Sequence, residues 1–192
     1  RGEHPVNWCP RCETAIAEAE VEYVESKGTL IDIRFPSNKG DLVVATSRPE
    51  FVPACVALAV NPADTRYTEF VGGEASVPVV NRRVPILKDE LVDAHFGSGV
   101  VMICTFGDKT DVRWQHKYNL PVVKILDVQG RLTEKAGKYA GLTISEAREA
   151  IIADLRKASQ IGESKPLTRE IGTCWRCGTP VEILSAPQWF MK

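Results

Sequence analysis

Two Cys-x-x-Cys pairs stand at opposite ends of this 192-residue chain, and they constrain its fold more than any other feature. The first pair is Cys9 and Cys12, and the second is Cys174 and Cys177. Each pair can supply half of a tetrahedral thiolate site, so the two pairs together would make a closed structural zinc site. A redox Cys-x-x-Cys and two unrelated pairs are the alternatives. One shared zinc would clamp the chain ends together, as expected of a domain inserted into a larger host.

The position of the pairs also predicts how the chain is divided. Residues 1–17 and 167–192 are expected to form a connector resembling a zinc ribbon, and residues 18–166 the main domain. The other two cysteines, Cys55 and Cys104, lie in apolar stretches, where a free cysteine behaves as a small hydrophobe. The pattern is therefore not that of a disulfide-rich secreted domain.

Composition and charge exclude several classes of protein. The chain is 44% hydrophobic and 26% charged, as in an ordinary globular protein. A net charge of -1 argues against a dedicated nucleic-acid binder, although a module held by a larger protein can still contact nucleic acid. No apolar run is long enough to span a membrane, so no membrane partner is expected.

A buried strand followed by two carboxylates is the first candidate site. Residues 100–104 form a continuous apolar run after the turn at residues 97–99, and Asp108 and Asp111 follow in a short loop that leads into a helical pattern. Asp108 as an N-cap, with Asp111 in the first helical turn, accounts for both carboxylates. The same loop also places polar groups at the edge of an apolar core, where a binding site can form.

A second predicted strand, residues 41–45, ends in a similar loop. It runs into Thr46 and Arg48, and Pro49 and Glu50 then favour the start of a helix over residues 51–58. The guanidinium of Arg48 is a rigid fork of donors suited to phosphate or carboxylate. An ordinary exposed arginine in a surface loop is the alternative.

The remaining pattern indicates many short strands and three helices. Residues 18–24 and 30–35 read as a hairpin, residues 120–126 as a further strand, and residues 144–158 as a helix with a capping box. Residues 162–170 read as a polar connector. We therefore predict a β-rich α+β fold: a closed or strongly curved β-barrel core with packed helices, and a zinc-ribbon-like appendage that joins the two chain ends.

Familiar catalytic motifs are missing from the sequence. The histidines His4, His95 and His116 have no partner at metal-ligand spacing, and there is no Gly-x-Ser-x-Gly motif. A Ser–His–Asp hydrolase is therefore not expected. The sequence also has no Gly-Lys-Ser/Thr phosphate loop, so the turn at residues 97–99 is expected to allow close packing.

Taken together, the loops and the cysteine pairs resemble a known family. They are similar to the inserted editing domain of class I aminoacyl-tRNA synthetases for branched aliphatic amino acids, in particular the valyl enzymes of the archaeal-type branch. Four stretches carry this resemblance: Asn7-Trp8-Cys9-Pro10-Arg11-Cys12-Glu13-Thr14-Ala15, Ala45-Thr46-Ser47-Arg48-Pro49-Glu50, Phe96-Gly97-Ser98-Gly99-Val100-Val101 continuing to Asp111, and Cys174-Trp175-Arg176-Cys177-Gly178-Thr179-Pro180-Val181-Glu182 with Pro187-Gln188-Trp189-Phe190.

The resemblance implies an activity and a set of site residues. It implies hydrolysis of threonine from mischarged tRNA(Val), with Asp111 anchoring the substrate's α-ammonium and Asp108 binding the threonine hydroxyl or positioning water. The implied substrate-binding positions are Thr46, Arg48, Phe51, Cys104 and Lys109, and the implied ligands of a structural zinc are Cys9, Cys12, Cys174 and Cys177.

The resemblance also implies the partners and the setting. These are the acceptor end of tRNA(Val) carrying threonine and the catalytic domain of a parent synthetase that uses ATP and Mg, in a cytoplasmic monomer.

The sequence departs from the family pattern at three positions. The bacterial branch has a lysine at the position of Met102 and a threonine at that of Cys104, and threonine is usual at the position of Phe51. Either Lys109 or Arg48 supplies the positive charge, or none is needed. An isoleucyl or leucyl editing domain and a non-catalytic zinc-ribbon module for the tRNA end are the alternative functions.

Overall fold

The computed structural model describes residues 2–80 and 82–189, which form ten β-strands, two α-helices and four short 3-10 helices. The strands are β1 (Gly2–Cys9), β2 (Thr14–Ala15), β3 (Val21–Ser37), β4 (Gly40–Thr46), β5 (Cys55–Val60), β6 (Glu74–Val77), β7 (Arg82–Lys88), β8 (Val100–Cys104), β9 (Ile161–Cys174) and β10 (Glu182–Gln188). The helices are α1 (Lys109–Tyr118), α2 (Ile144–Lys157) and the 3-10 helices Glu18–Glu20, Pro49–Ala54, Thr65–Tyr67 and Glu134–Tyr139.

Two sheets organise these elements. The larger sheet has the order β4-β3-β6-β7-β5-β8, with β9 also paired to β3, and it curls strongly into a half-barrel. Its pairs are antiparallel except for β5 and β7. The smaller sheet has the order β10-β1-β2 and brings the two chain ends together. The predicted β-rich, strongly curved fold with an appendage at the chain ends is confirmed.

The predicted hairpin within residues 18–35 is wrong, because β3 is one continuous strand of 17 residues. It pairs with β9 from Val21 opposite Cys174 to Ile33 opposite Ile161. Gly28, which was expected in a turn, is paired with Leu167 in this ladder. Residues 162–170 are therefore not a connector but part of β9. No residue of 26–28 or of 162–170 is buried, so these stretches carry no apolar pattern that would have identified them as strand.

The predicted helix over residues 51–58 is also wrong. The chain makes the 3-10 helix Pro49–Ala54 and then enters β5, whose six residues are all buried. Pro53 has no N–H for a continuing helix. A fully buried strand between two neighbours reads as a continuous apolar run, and over a short stretch periodicity does not separate such a run from a buried helix.

Residues 120–126 form no extended strand in the described part of the chain, contrary to prediction. Their ladder contact is a single bridge from Leu126 to Leu132. The N–H of Val123 donates instead to Oγ1 of Thr105 over 2.8 Å. Ile125 is nevertheless buried, so the apolar pattern reflects burial without strand pairing.

The predicted strands before the two loops, and the predicted start of helix α2, are confirmed. Strand β4 and strand β8 occur where predicted, and helix α2 begins with the predicted capping box on Thr143. Gly97 has a φ of +59°, and a Cβ there would lie 2.5 Å from that of Ala45. The glycine therefore allows the loop before β8 to pack tightly on β4, which brings the ends of both strands to one side of the half-barrel.

The division into residues 1–17 with 167–192 and residues 18–166 stays a prediction. Phe190, the last residue of the quoted exit motif, lies outside the described residues. In the described part of the chain, no helix has the length and apolar character needed to cross a membrane.

Candidate functional site

A cleft of about 660 Å³ opens where β4 and β8 end. All seven side chains predicted for catalysis or substrate binding line it: Thr46, Arg48, Phe51, Cys104, Asp108, Lys109 and Asp111. The structure thus gathers residues that lie up to 65 positions apart in sequence, from Thr46 to Asp111. Their common location supports the predicted site, while their individual roles stay predictions.

Asp111 is a buried acid of the cleft with a strongly raised pKa. It lies in the first turn of α1 and is only 6% exposed. Burial raises its pKa to about 8, and the neighbouring carboxylate of Asp108 adds to this rise. An ionised Asp111 is therefore disfavoured until a cation approaches it, because a nearby positive charge stabilises the charged form.

Asp108 is the N-cap of α1, as predicted. Its Oδ1 accepts hydrogen bonds from the N–H of Thr110 at 2.7 Å and from the N–H of Asp111 at 2.8 Å. No hydrogen bond from the described residues engages Oδ2. One oxygen of this carboxylate therefore caps the helix, and the other is left without a donor from the described residues in a side chain that lines the cleft.

Arg48 is held on three sides. Its Nη2 donates to both carboxylate oxygens of Glu182, at 2.9 and 2.7 Å, and its Nε donates to Oε1 of Glu50 at 3.1 Å. The guanidinium carbon lies 4.1 Å from the ring centroid of Phe51. Burial lowers the pKa of Arg48, but the carboxylates of Glu182 and Glu50 outweigh it and raise that pKa above its usual value. Arg48 is therefore a permanently charged wall of the cleft.

The two carboxylates around Arg48 belong to a wider buried network. Glu50, 1% exposed, also accepts from Nε of Arg148 at 3.0 Å. Nη1 of Arg169 donates to Oγ of Ser47 at 2.7 Å, while its buried Nε has no partner among the described residues. Burial, followed by the charges of Arg48 and Arg148, lowers the pKa of Arg169.

Sequence reasoning missed these supporting residues. Glu182 carried a readable signal, because it is in phase with Leu184 and Ala186 on the buried face of β10. A carboxylate on an apolar face indicates a buried ion pair. Arg169 carried no comparable signal, since it lies among exposed or half-buried neighbours on β9, and Arg148 is out of phase with the buried residues Ala147, Ile151 and Leu155 of α2.

The other predicted positions differ in character. Oγ1 of Thr46 accepts the N–H of Arg48 at 3.0 Å, and the thiol of Cys104 donates to the carbonyl of Phe51 at 3.4 Å. Burial raises the pKa of Cys104 well above its usual value, so this thiol is not a nucleophile at neutral pH. Lys109 is exposed and pairs with Glu18 at the rim.

The four cysteines of the two pairs meet at one point, with their sulfur atoms within 4.8 Å of one another. Sγ of Cys177 lies 3.5 Å from that of Cys9 and 3.6 Å from that of Cys12. Tetrahedral zinc with Zn–S bonds of about 2.3 Å requires sulfurs about 3.8 Å apart. The thiols therefore fit a metal of this kind, with β1, β2 and the end of β9 as the frame.

Comparisons with known proteins identify the family of the chain. The family model described as tRNA synthetases class I (I, L, M and V) matches residues 1–192. A valine--tRNA ligase of Methanosarcina barkeri is 57% identical over 190 residues, which are 99% of this chain and 21% of that protein. A valine--tRNA ligase of Methanocaldococcus jannaschii is 51% identical over 194 residues, covering 100% of this chain and 22% of that protein. The chain thus spans about a fifth of the length of these relatives.

A solved structure is similar in fold. It is the LeuRS of Agrobacterium radiobacter K84, in a ternary complex with tRNA and LeuAMS. The TM-score is 0.56 at 21% sequence identity, and the match covers 81% of this chain and 24% of that one. This likeness extends to the fold alone.

Proposed function

Because the chain belongs to the class I tRNA synthetases (I, L, M and V), we propose that it is the editing domain of a valine--tRNA ligase and hydrolyses threonyl-tRNA(Val). The observation that carries the proposal is the shared cleft of Asp111, Asp108 and Arg48, which combines a desolvated acid, a half-engaged acid and a fixed cation. The identity of 50–57% with archaeal valine--tRNA ligases supports the choice of amino acid.

Threonine is the expected substrate because a synthetic pocket built for valine rejects it poorly. The two side chains are nearly isosteric, and valyl enzymes are the standard case in which an apolar pocket discriminates against the hydroxyl by only about 10²-fold. An editing pocket must favour the hydroxyl. A cleft lined by carboxylates does so, because valine would leave those polar groups unpaired.

The residues of the cleft divide the work of ester hydrolysis. Asp111 accepts the substrate's α-ammonium, and this cation in turn favours the ionised carboxylate. Oδ2 of Asp108 accepts the threonine hydroxyl or orients the attacking water. Arg48 contacts an oxygen at the aminoacyl-adenosine end. Water then adds to the ester carbonyl, and the ribose oxygen leaves with a proton, so no protein nucleophile is required.

The relatives support a proposal for the wider setting. We propose a polypeptide that also carries an ATP- and Mg-dependent ligase domain, and that presents the acceptor end of tRNA(Val) to this cleft. The four cysteines would hold a structural zinc, which would supply stability to the small sheet and take no part in the hydrolysis. The setting that we propose is a cytoplasmic monomer.

The experiment uses the native gene product with threonyl-tRNA(Val) and valyl-tRNA(Val) as substrates. We expect ester loss from the threonyl substrate to be at least about 10²-fold faster than from the valyl substrate. An Asp111→Ala variant provides the inactive control. Loss no faster than in buffer would favour a non-catalytic module for the tRNA end. Preferential hydrolysis of valyl-tRNA(Ile), or of a mischarged tRNA(Leu), would favour an isoleucyl or leucyl editing domain.

A further inference from the structure

We propose that Glu182 is a positioning residue that fixes the guanidinium of Arg48 toward the substrate, an inference that rests on the proposed function. Glu182 does not belong to either strand-end loop. It lies on β10, in the small sheet that also carries Cys9 and Cys12 at its end. The cleft is therefore completed by a part of the chain distant from the loops that supply its acids.

Two of the three guanidinium nitrogens of Arg48 donate to carboxylates of the protein, and Nη1 does not. Nη2 is occupied by Glu182 and Nε by Glu50. Among the described residues, the one hydrogen-bond acceptor of Nη1 is the carbonyl of Gly107 at 3.4 Å, which is at the long end for a hydrogen bond. Nη1 is thus the donor that can turn to an oxygen of the substrate, and the direction in which it points is set by the two carboxylates.

Glu182 is engaged by Arg48 and offers little surface to a substrate. Both of its oxygens accept from Nη2 of Arg48, and the residue is 5% exposed. This geometry favours a role in orienting Arg48 over a role in contacting the reacting atoms.

The position of Glu182 is rigidly determined by the small sheet. It pairs with Trp8 in the ladder between β10 and β1. Trp8 is buried, and its Nε1 donates to the carbonyl of Val128 in the main part of the structure at 2.8 Å. A strand residue held by its ladder and by a buried aromatic neighbour moves little. It can therefore hold a flexible arginine in one orientation, and misplacement by about 1 Å can lower a rate about 10²-fold.

The test compares variants of the native gene product in the hydrolysis of threonyl-tRNA(Val). We expect Glu182→Gln to lower kcat/KM by about 10- to 100-fold, and Glu182→Asp, which keeps the charge, to restore part of the loss. Glu163→Gln is the matched control, because that carboxylate is exposed on β9 and pairs only with Lys165. The control should keep the wild-type kcat/KM.

A double-variant comparison separates positioning from a general structural effect. In an Arg48→Gln background, adding Glu182→Gln should change kcat/KM by less than about 2-fold, because the group that Glu182 positions is already gone. An equal loss in both backgrounds would overturn the inference, and so would a Glu182→Gln protein with full activity. Should Glu182→Gln alone fail to fold, Glu182→Asp, which keeps the charge and shortens the side chain, replaces it in both backgrounds.

A binding measurement distinguishes failure of the inference from failure of the proposed function. The probe is threonyl-adenosine with an amide in place of the ester. We expect Glu182→Gln to weaken its binding about 10-fold through the misdirected Arg48. A wild-type protein that neither binds this probe nor hydrolyses threonyl-tRNA(Val) would contradict the proposed function. An active wild-type protein that binds the probe equally well with and without Glu182 would contradict the inference alone.

Discussion

Oδ2 of Asp111 lies so close to the backbone of Gly107 that a Cβ built on this glycine would be only 2.5 Å from it. Such a distance is far inside van der Waals contact, so the carboxylate occupies space that is free only because residue 107 has no side chain. Gly107 also offers its carbonyl to Nη1 of Arg48. The backbone of Gly107 therefore contacts both Asp111, the acid of the cleft, and Arg48, its cation.

A Gly107→Ala variant should lower the rate of threonyl-tRNA(Val) hydrolysis by about 10- to 100-fold, because the added methyl group displaces the Asp111 carboxylate. The global fold should be retained, since the one severe contact is with the Asp111 carboxylate, while Cβ of the buried Cys104 would lie 3.4 Å away, at the edge of ordinary van der Waals contact. The measurement is a single-turnover deacylation assay. Gly28→Ala is the control, because its Cβ would meet only the carbonyl of Leu167 at 3.8 Å. Equal rates for both variants would remove the proposed link between Gly107 and Asp111.

Replacing Asp111 by Asn should make the protein more stable at neutral pH and abolish hydrolysis. The folded pKa of Asp111, about 8, is far above the value of about 3.9 in an unfolded chain. Between these two values the folded state keeps a proton that the unfolded state has lost, so stability falls as pH rises through this window. Asn mimics the protonated form and removes this dependence.

We expect the free energy of unfolding of Asp111→Asn to exceed that of wild type by a few kcal/mol at pH 8, with no difference near pH 4. Urea unfolding at a series of pH values measures this directly. Asp41→Asn, at an exposed strand position, should show no such divergence. If the two unfolding curves for Asp111→Asn and wild type stay parallel from pH 4 to pH 8, Asp111 is ionised in the folded state over this range.

The two possible roles of Asp108 can be separated by the choice of substitution. Asn keeps an oxygen that accepts from the N–H groups of Thr110 and Asp111, whereas Ala does not. We therefore expect Asp108→Ala to cost about 1 kcal/mol of stability, and Asp108→Asn less than about 0.5 kcal/mol. Both variants should hydrolyse threonyl-tRNA(Val) at least about 10-fold more slowly, because each lacks the charged Oδ2. Full activity in Asp108→Asn would show that Asp108 serves only as the N-cap of α1 and not in hydrolysis.

The sequence predicted the strand-end loops because their local signals agree with the fold. Residues 100–104 are apolar and β-branched, Asp108 is a good N-cap, and Gly97 permits a close approach, so local preference and tertiary packing favour the same structure. The grouping of Thr46, Arg48 and Asp111 in one site was implied by the family resemblance, and the curled sheet brings the three residues to one cleft.

The errors arose where tertiary pairing overrides local preference. Ser26-Lys27-Gly28 is turn-like in composition, yet pairing with β9 carries the strand straight through it. The run at residues 55–60 has no helix-breaking residue, and only its central place in the sheet makes it a strand. The Arg48–Glu182 pair joins residues 134 positions apart, and no periodicity in a single sequence reports such a distant contact.

The cysteine cluster makes a prediction about metal content that activity is not needed to test. Four thiols with the spacing of a tetrahedral site should bind one zinc per chain, as measured by metal analysis of the purified native gene product. Cys177→Ser should lose most of that zinc. Cys55→Ala should keep it, because Cys55 is buried in the core away from the cluster.

A chelator should lower the Tm of the wild-type protein and of Cys55→Ala, but not that of Cys177→Ser, because only a bound metal stabilises the folded state by mass action. Loss of more than one zinc per chain on going from wild type to Cys177→Ser, or equal zinc in the two proteins, would contradict a single site shared by both pairs.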